Sequence, residues 1–382
     1  MNQPIQLVDL QTQYQRLKPE IDAAMQHVVD HAQFIGGAAV STFSKNLSKY
    51  LNVKHVIPCA NGTDALQIAL MALDLQPGDE VITTPFTFVA TVEVVALLGL
   101  RPVFVDIHPD TFNIDETKLA AAITPRTRAI VPVHLFGQCA NIEAIMQIAA
   151  QHDNITVIED NAQAIGAHII TSDGNRVAAG TVGHIGTTSF FPSKNLGCYG
   201  DGGAIFTNDD TLAKKINLIA NHGSSEKYYY QSIGVNSRLD GIQAAVLNVK
   251  LAHLDDFNRR RQAAAALYCQ LLADVEGVTL PVVAPFSTHV WHQFTLRVSA
   301  ARRGLIQQLL TAQGIPSAIY YPVSLHVQEA YRHYSYKLGD FPVSEKACRE
   351  VLSLPMHSEM DTETLHFICE AISEAMIPTE MA

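Results

Sequence analysis

The 382-residue sequence predicts an α/β fold built on a mostly parallel central sheet with helices on both faces. From residue 54 to about residue 250, short β-rich apolar runs alternate with helical patterns. This alternation indicates βαβ units, whose parallel strands are covered on both sides. The chain is also longer than one ordinary domain, so a large domain and a smaller one are expected.

The strands of the predicted sheet are short apolar runs that end in turn or cap residues. A helix is expected after the first run, with Asn61 or Thr63 as its cap, and another after Asn208 and Asp209. Pro77-Gly78-Asp79 turns the chain into the second run. The predicted strands are His55–Cys59, Glu80–Thr83, Pro102–Val105, Ala129–Val133, Thr156–Glu159, Thr187–Phe191 and Gly203–Thr207.

The two ends of the chain follow different patterns. Near the start, a helix over Tyr14–His31 leads to the glycine-containing loop Gln33–Gly37. After Asp240, two helical stretches rich in Ala, Leu, Gln and Arg suggest a connector, and a mixed α+β pattern follows. We therefore divide the chain into residues 1–250, the N-terminal segment with the large domain, and 251–382, the connecting helix with a small α+β domain. The elements expected after Asp240 are helices Gly241–Val249 and Ala252–Leu272, strand His292–Val298, helix Ala301–Gln313, strand Ser317–Tyr321 and helix Asp361–Met376.

The composition narrows the function classes. Hydrophobic residues make up 48% and charged residues 16% of the chain, which is typical of a well-buried globular enzyme. The net charge of −11 argues against binding to nucleic acid or to an anionic membrane, because both require a basic surface. No stretch approaches ~18 uninterrupted apolar residues, and no secretory leader pattern is present. We expect a cytoplasmic protein.

The cysteines and histidines give no metal signature. The six cysteines are scattered without a Cys-x-x-Cys pair, and the sixteen histidines form no His-x-x-x-His or His-Glu-x-x-His pattern. We therefore predict neither a disulfide framework nor a metal site.

Lys194 is the first candidate for chemistry. It lies in the run Ser189–Gly203, where an apolar stretch breaks into a glycine-rich turn. Phe190, Phe191 and Pro192 can exclude water on one side of the amine. Desolvation favours the neutral amine, which is the form that attacks a carbonyl to make a Schiff base. For an isolated Ser-x-Lys, an ordinary lysine that caps a strand end is the alternative.

Three further features can meet Lys194 at the carboxyl ends of the strands, where open α/β folds bind ligands. Asn61-Gly62-Thr63-Asp64 can hold a phosphate or simply cap a helix. Asp160 ends a buried strand, so its carboxylate needs a cation or donor, such as a protonated pyridine nitrogen. Phe86-Thr87-Phe88 can offer a stacking ring or pack in the core. A phosphate clamp, an aspartate, an aromatic platform and a lysine are the set expected around pyridoxal phosphate.

The order and wording of these motifs resemble the DegT/StrS-type nucleotide-sugar aminotransferases, which are fold-type-I pyridoxal-phosphate enzymes. The resemblance covers essentially the whole chain. The matching stretches are residues 61–66, 77–82, 159–167, the Lys194 loop, 234–240 and 320–326.

The resemblance implies a role for each matching residue. Lys194 becomes the catalytic lysine that carries the cofactor, and Asp160 the catalytic partner of its ring nitrogen. Asn236 implies a homodimer with shared active sites, because the family's equivalent asparagine reaches the phosphate of the neighbouring subunit. The remaining cofactor-binding residues implied are Gln163 at the ring's 3-oxygen, Gly62, Thr63 and Ser189 at the phosphate, and Phe88 stacked on the ring.

The resemblance also implies the substrates. A lysine at position 194, where dehydrating relatives have histidine, implies transamination with L-glutamate as the amino donor and pyridoxamine phosphate formed during turnover. The wording of the Lys194 loop is most similar to enzymes that aminate carbon 3 of a UDP-linked 3-keto N-acetyl sugar for O-antigen, especially the 3-oxo-glucuronate derivative. The substrate-binding residues implied are Phe34, Ser193, Arg238, Tyr320, Tyr321 and His326.

Some alternatives remain open at this stage. Related members often have tyrosine in place of Phe34 and histidine in place of Tyr320, which leaves the substituent on carbon 5 undecided. Arg238 can contact phosphate or form a structural salt bridge with Asp240 or another acid. The substrate alternatives are UDP-3-keto-N-acetylglucosamine and a dTDP-3-keto-6-deoxyhexose. From another class, the alternative is an inactive family fold that acts as a binding or regulatory protein.

Overall fold

The computed structural model describes residues 4–377 and contains one large sheet and three two-stranded ones. Buried β-branched residues recur in every strand of the large sheet except β3, whose one β-branched residue is half-buried. In chain order the strands are β1 His55–Cys59, β2 Glu80–Thr83, β3 Arg101–Phe104, β4 Thr127–Ile130, β5 Thr156–Asp160, β6 His168–Ile170, β7 Arg176–Ala178, β8 Ile185–Ser189, β9 Gly203–Thr207, β10 Ser224–Glu226, β11 Tyr229–Tyr230, β12 Phe294–Arg297 and β13 Val351–Leu354.

The large sheet has seven strands in the order β1-β9-β8-β5-β4-β2-β3. The five strands from β8 to β3 pair in parallel, whereas β9 runs antiparallel to both of its neighbours. The prediction of a mostly parallel sheet is therefore confirmed. The carboxyl ends of the parallel strands meet at one edge, which brings Asp160 at the end of β5 beside Ser189 at the end of β8.

Eleven α-helices lie among residues 4–377. Polar caps explain where several begin: the Asn61 side chain accepts from the Asp64 amide at 2.8 Å, and Asp209 caps α7 by accepting from Thr211 and Leu212. The helices are α1 Leu10–Asp30, α2 Gly37–Leu51, α3 Gly62–Met71, α4 Ala90–Leu97, α5 Leu119–Ala122, α6 Ile142–Ala149, α7 Asp210–Ala220, α8 Gly241–Leu271, α9 Ala300–Ala312, α10 Pro342–Glu350 and α11 Thr362–Met376.

Helices cover both faces of the sheet because successive strand residues point to opposite sides. In β2, Val81 packs into a core with α3, α4 and α7, whereas Ile82 packs into a separate core with α5 and α6. A third core, around Phe206 of β9, includes residues of α2 and α8. The predicted two-sided covering is present.

Helix α8 connects the large core to a smaller one. Its first half contributes Leu247 and Leu254 to the core around β9, and its second half contributes Ala265 and Tyr268 to a C-terminal core with α9, α11 and the antiparallel pair β12 and β13. The sequence predicted two helices here, but one 31-residue helix runs through. The boundary drawn at residue 250 therefore falls inside α8.

One predicted strand is wrong. Residues 317–321 form no strand, and Ala318 makes only a single bridge to Ser353 of β13. The flanking prolines Pro316 and Pro322 lack the N–H that a ladder needs, so pairing stops after one residue. The partner of β12 is instead β13, which the sequence analysis did not predict, nor did it predict α2 and α10.

Within residues 4–377, no helix is both long and apolar enough to cross a membrane. The same part of the chain has no group of three or more His, Cys, Asp or Glu side chains arranged to hold a metal ion. All six cysteines are free thiols.

Candidate active site

A tight loop after β8 fixes the position of Lys194. The Lys194 amide donates to the Phe191 carbonyl at 2.8 Å, and the Cys198 amide donates to the Phe190 carbonyl at 2.8 Å. A side chain at Gly197 would place its Cβ only 2.3 Å from the Pro192 carbonyl oxygen. Glycine is therefore required for the loop to close on itself.

Burial changes the chemistry of the Lys194 amine. It lowers the pKa of Lys194 to about 8, although the negative charge of Asp160 acts in the opposite direction. With that pKa, about a tenth of the amine is neutral at pH 7. The expected desolvation of the amine is present, although Phe191 itself is 52% exposed, and it supplies the nucleophilic form of the lysine near neutral pH.

Asp160 is a buried carboxylate that forms no ion pair within residues 4–377. Its side chain accepts from the Thr91 hydroxyl at 2.8 Å and from the Ala162 amide at 3.2 Å. In the described part of the chain, no Lys, Arg or His nitrogen lies within ion-pair distance of it, although it is only 5% exposed. Two hydrogen bonds leave a buried charge incompletely compensated, so the site suits a cationic group such as a protonated pyridine nitrogen.

Gln163 connects the end of β5 to the C-terminal part of the chain. Its side-chain oxygen accepts from the Phe136 amide at 2.6 Å, and its nitrogen donates to the Tyr321 hydroxyl at 3.3 Å. Burial raises the pKa of the Tyr321 phenol, which therefore stays protonated. The structure thus brings Gln163 and Tyr321 together beside Asp160.

The residues proposed to bind the phosphate also lie close to one another. A Cβ at Gly62 would fall 2.7 Å from the Cβ of Ser189, so the start of α3 packs directly against the end of β8. The amides of Gly62 and Thr63 are in the first turn of α3, where a helix provides no internal acceptor. Free amides and the Thr63 and Ser189 hydroxyls form a cradle that suits a phosphate.

The two phenylalanines of residues 86–88 have different environments. Phe86 is fully buried and contacts the rings of Phe112, Phe136 and Tyr321, so the core-packing alternative applies to this residue. Phe88 is 56% exposed in the single chain. Its ring is therefore free to stack on a ligand.

A second group of predicted residues lies at the start of α8. Phe34, Asn236 and Arg238 are exposed, and the Gly241 amide donates to the Phe34 carbonyl at 2.7 Å. Arg238 makes no ion pair in the described part of the chain, so the structural salt bridge considered above is not formed. Ser237, between them, is buried and accepts from the Ala60 amide at 3.0 Å.

Three predicted substrate residues remain. Ser193 is part-buried within the Lys194 loop, and Tyr320 is part-buried with its ring centroid 6.0 Å from that of Tyr321. His326 is fully buried, with its ring nitrogens bonded to Ser324 at 2.7 Å and Glu345 at 3.1 Å. His326 therefore presents no free nitrogen to a ligand in this structure.

Two residues that support the site were absent from the sequence analysis. Thr91 bonds Asp160, yet it stands in an apolar helix with no sequence signal for this contact. Asn195 follows Lys194 directly and donates to Asn258 at 2.7 Å and to the Val290 carbonyl at 2.8 Å. Its position beside the lysine was the available signal.

Residues 15–373 match the DegT/DnrJ/EryC1/StrS aminotransferase family. The chain belongs to this family. The match spans the Lys194 loop, the end of β5 and the phosphate cradle, so the resemblance predicted from the motifs is confirmed.

Curated relatives match over nearly their whole length. A Pleiotropic regulatory protein of Geobacillus stearothermophilus is 48% identical over 98% of both chains. The UDP-2-acetamido-2-deoxy-3-oxo-D-glucuronate aminotransferase of Pseudomonas aeruginosa is 48% identical over 97% of this chain and 99% of the relative. A UDP-N-acetyl-3-dehydro-alpha-D-glucosamine 3-aminotransferase of Acidithiobacillus ferrooxidans is 41% identical over 98% of this chain and 99% of the relative.

Solved structures support the same fold. The S. venezuelae DesV structure, in complex with a ketimine intermediate, has a TM-score of 0.93 and 39% identity over 99% of this chain and 100% of that one. NtdA from Bacillus subtilis, with bound cofactor PMP, has a TM-score of 0.87 and 34% identity over 97% of this chain and 83% of that one. The fold is therefore that of the pyridoxal-phosphate sugar aminotransferases, and this chain is a PLP-dependent member.

Proposed function

We propose that this enzyme moves the amino group of L-glutamate to carbon 3 of a UDP-linked 3-keto N-acetyl sugar. The specific acceptor proposed is UDP-2-acetamido-2-deoxy-3-oxo-D-glucuronate. The observation that carries the proposal is the 48% identity, over 97% of this chain, to a relative that is named as the aminotransferase of this sugar. The 41% identical relative, which is named for a 3-aminotransferase of another UDP-sugar, supports the nucleotide and the carbon position.

The residues of the site fit the cofactor of the family. Asp160 offers a buried carboxylate that makes no ion pair in the described part of the chain, and the start of α3 with Ser189 offers a phosphate cradle. We assign Gln163 and Phe88 to the ring and Lys194 to the covalent attachment. Pyridoxal phosphate supplies, when bound, an electron sink for the electron pair released at the donor's α-carbon.

The residues of the chain then have distinct tasks. Burial lowers the pKa of Lys194 to about 8. Its Nζ takes the α-proton from the donor and later returns a proton to complete the transfer of the amino group. The Asp160 carboxylate, held in place by Thr91, would pair with the ring nitrogen. The aromatic residues Phe86, Phe136 and Tyr321 exclude water behind Gln163.

We further propose a homodimer in which each chain completes its partner's site. Phe34, Asn236 and Arg238 support this because all three are exposed in the single chain. Ser237 turns towards Ala60 of its own chain, and neighbouring residues in extended backbone point to opposite sides, so Asn236 faces outwards. Arg238 would offer a fixed fork of donors to the sugar-nucleotide phosphates.

Mixing two inactive variants tests the shared site. Lys194→Ala chains and Asn236→Ala chains are exchanged under mild denaturation, and heterodimers are isolated with two affinity tags. If the site is shared, one site of the heterodimer carries both defects and the other carries neither. The activity of the heterodimer should then recover towards that of one native site. The loss of one bond to a charged phosphate costs roughly 1.5–3 kcal/mol, which makes the Asn236 defect measurable. No recovery in confirmed heterodimers would place Asn236 in its own chain's site or outside the site.

A substrate panel tests the acceptor. The purified enzyme is assayed with glutamate and three acceptors: the UDP-3-oxo-glucuronate derivative, UDP-3-keto-N-acetylglucosamine and a dTDP-3-keto-6-deoxyhexose. Formation of 2-oxoglutarate and of the amino sugar is followed for each. We expect the highest kcat/KM for the first acceptor. A higher value for either of the others would replace the proposed substrate while leaving the transaminase chemistry intact.

A regulatory function is the second candidate, because a 48% identical relative is named a pleiotropic regulatory protein. Lys194 and Asp160 favour catalysis, since a regulator has no need of a desolvated amine near a buried carboxylate. The purified protein should therefore be yellow and should change its absorption when glutamate is added. A colourless protein that takes up no cofactor would favour the regulatory function.

The proposed product belongs to bacterial surface polysaccharide synthesis, including the O-antigen of lipopolysaccharide. An amino group on carbon 3 of a UDP-sugar is suited to later acylation and transfer by enzymes that use nucleotide sugars. We propose that the enzyme works in the cytoplasm, where UDP-sugars and glutamate are available.

A further inference from the structure

Residues 320–326 include both tyrosines proposed to bind the acceptor, Tyr320 and Tyr321, and end at His326. This segment lies against residues 84–88, which carry Phe88. The Leu325 amide donates to the Pro85 carbonyl at 2.8 Å, and the rings of Tyr321 and Phe86 are in edge contact with centroids 5.9 Å apart. The position of one segment therefore depends on the other.

His326 is the connection between this pair of segments and α10. Its Nδ1 bonds the Ser324 hydroxyl at 2.7 Å, and its Nε2 bonds Glu345 of α10 at 3.1 Å. A carboxylate only accepts, so Nε2 donates to Glu345, whereas the Ser324 hydroxyl bonded to Nδ1 also lies 3.3 Å from the Pro85 carbonyl, to which it can donate. The ring of Phe341 packs edge-on against the imidazole, with centroids 4.8 Å apart.

Glu345 is itself fixed. The same oxygen that accepts from His326 accepts from the Gly339 amide at 2.7 Å and from the Phe341 amide at 3.4 Å. The three hydrogen-bonded residues Ser324, His326 and Glu345 are all buried, so water does not compete for their hydrogen bonds. An imidazole so enclosed cannot reach a sugar nucleotide.

We propose that His326 is a positioning residue, which holds residues 320–326 on the active site through Ser324 instead of contacting the substrate. The Tyr320 and Tyr321 side chains are then presented to the acceptor sugar from a segment anchored at both Pro85 and α10. The donor half-reaction depends on Lys194 and Asp160, whose own hydrogen bonds are to other parts of the chain, and the link from residues 320–326 to the cofactor site is the bond of Gln163 to Tyr321, which neither Ser324 nor His326 makes. This inference rests on the proposed function only for the identity of the acceptor.

Ser324→Ala is the principal variant because it removes one oxygen from a buried site and should fold. Ser344→Ala is the matched control: this serine is equally buried on α10, and its hydroxyl bonds Asp106 at 2.6 Å instead of residues 320–326. His326→Ala and His326→Gln are compared with them, since Gln can keep the bond to Glu345 but not that to Ser324. All are measured as holoenzyme and corrected for folded fraction.

The expected result is a split between the two half-reactions. Ser324→Ala and His326→Ala should raise KM for the acceptor sugar at least about fivefold, the effect of one lost hydrogen bond, and should leave the glutamate-driven absorbance change within about twofold. Amide hydrogen exchange of residues 318–327 should accelerate in the holoenzyme. His326→Gln should resemble Ser324→Ala, and Ser344→Ala should change neither the KM nor that exchange.

Two results would overturn the proposal. One is an equal fall in both half-reactions that Ser344→Ala reproduces, which would make the effect one of general stability. The other is unchanged exchange of residues 318–327 in both Ser324→Ala and His326→Ala. If the wild-type enzyme turns over none of the acceptors, the proposed substrate is wrong, whereas the exchange measurement still decides the role of His326.

Discussion

The substitution Asp160→Asn separates charge from shape at the centre of the site. The two bonds of the Asp160 side chain can survive it. The asparagine oxygen can still accept from the Ala162 amide, and the asparagine nitrogen can donate to Thr91, whose hydroxyl both donates and accepts. The side chain therefore keeps its place and loses only its negative charge.

The expected effect is a fall in kcat of at least ~100-fold, equivalent to about 2.7 kcal/mol, because fixed charges in water-excluded sites contribute on this scale. Rapid mixing of the holoenzyme with glutamate measures the donor half-reaction alone. Asp106→Asn is the matched control, since Asp106 is equally buried. Its side chain accepts from the amide of Ile107 and, on α10, from the Val343 amide and the Ser344 hydroxyl. That variant should lose stability while each folded molecule keeps its rate. A fully loaded Asp160→Asn enzyme within about fivefold of wild type would refute the assignment.

Three further results are expected. Gly62→Ala should weaken cofactor binding about tenfold in an absorbance titration, because its Cβ would meet Ser189 at 2.7 Å. Gly304→Ala, which has open space around it, should leave the affinity unchanged. Equal affinities of the two variants would show that the phosphate does not bind in this cradle. Thr91→Val should lower kcat about tenfold through the lost bond to a charged carboxylate. The rate at which cofactor-free enzyme takes up pyridoxal phosphate should rise about fivefold from pH 7 to pH 8, as Lys194, with a pKa of about 8, loses its proton; a flat profile would contradict that pKa.

The sequence predicted the large sheet well because its strands are buried on both faces. Runs such as Glu80–Thr83 and Gly203–Thr207 are short and rich in buried apolar and β-branched residues, and their bounds agree with the structure. The sequence analysis divided α8 into Gly241–Val249 and Ala252–Leu272, which left out Lys250 and Leu251. The structure buries that lysine with its Nζ 4.5 Å from the centre of the Tyr199 ring, so the helix continues. Burial of a charge depends on a tertiary contact that no local pattern contains.

The same distinction applies to the site. Lys194, Asp160 and the cradle at Gly62 follow strand ends, so topology alone brings them to one edge of the sheet. Thr91 reaches Asp160 from a helix 69 residues earlier in the chain, a contact that only the folded structure specifies. His326 was predicted to bind substrate from its motif. Its burial and its two hydrogen bonds suggest a positioning role, which depends on Glu345, a residue of a helix that the sequence analysis did not predict.

Covalent attachment of the cofactor at Lys194 is the central claim, and borohydride reduction tests it most directly. The purified yellow enzyme is reduced, digested and mapped by mass spectrometry, with Lys194→Ala as the control. We expect the label on the peptide that contains Lys194 and no label on the variant, which should retain pyridoxamine phosphate without turnover. Label on any other lysine of the wild-type enzyme would contradict the account.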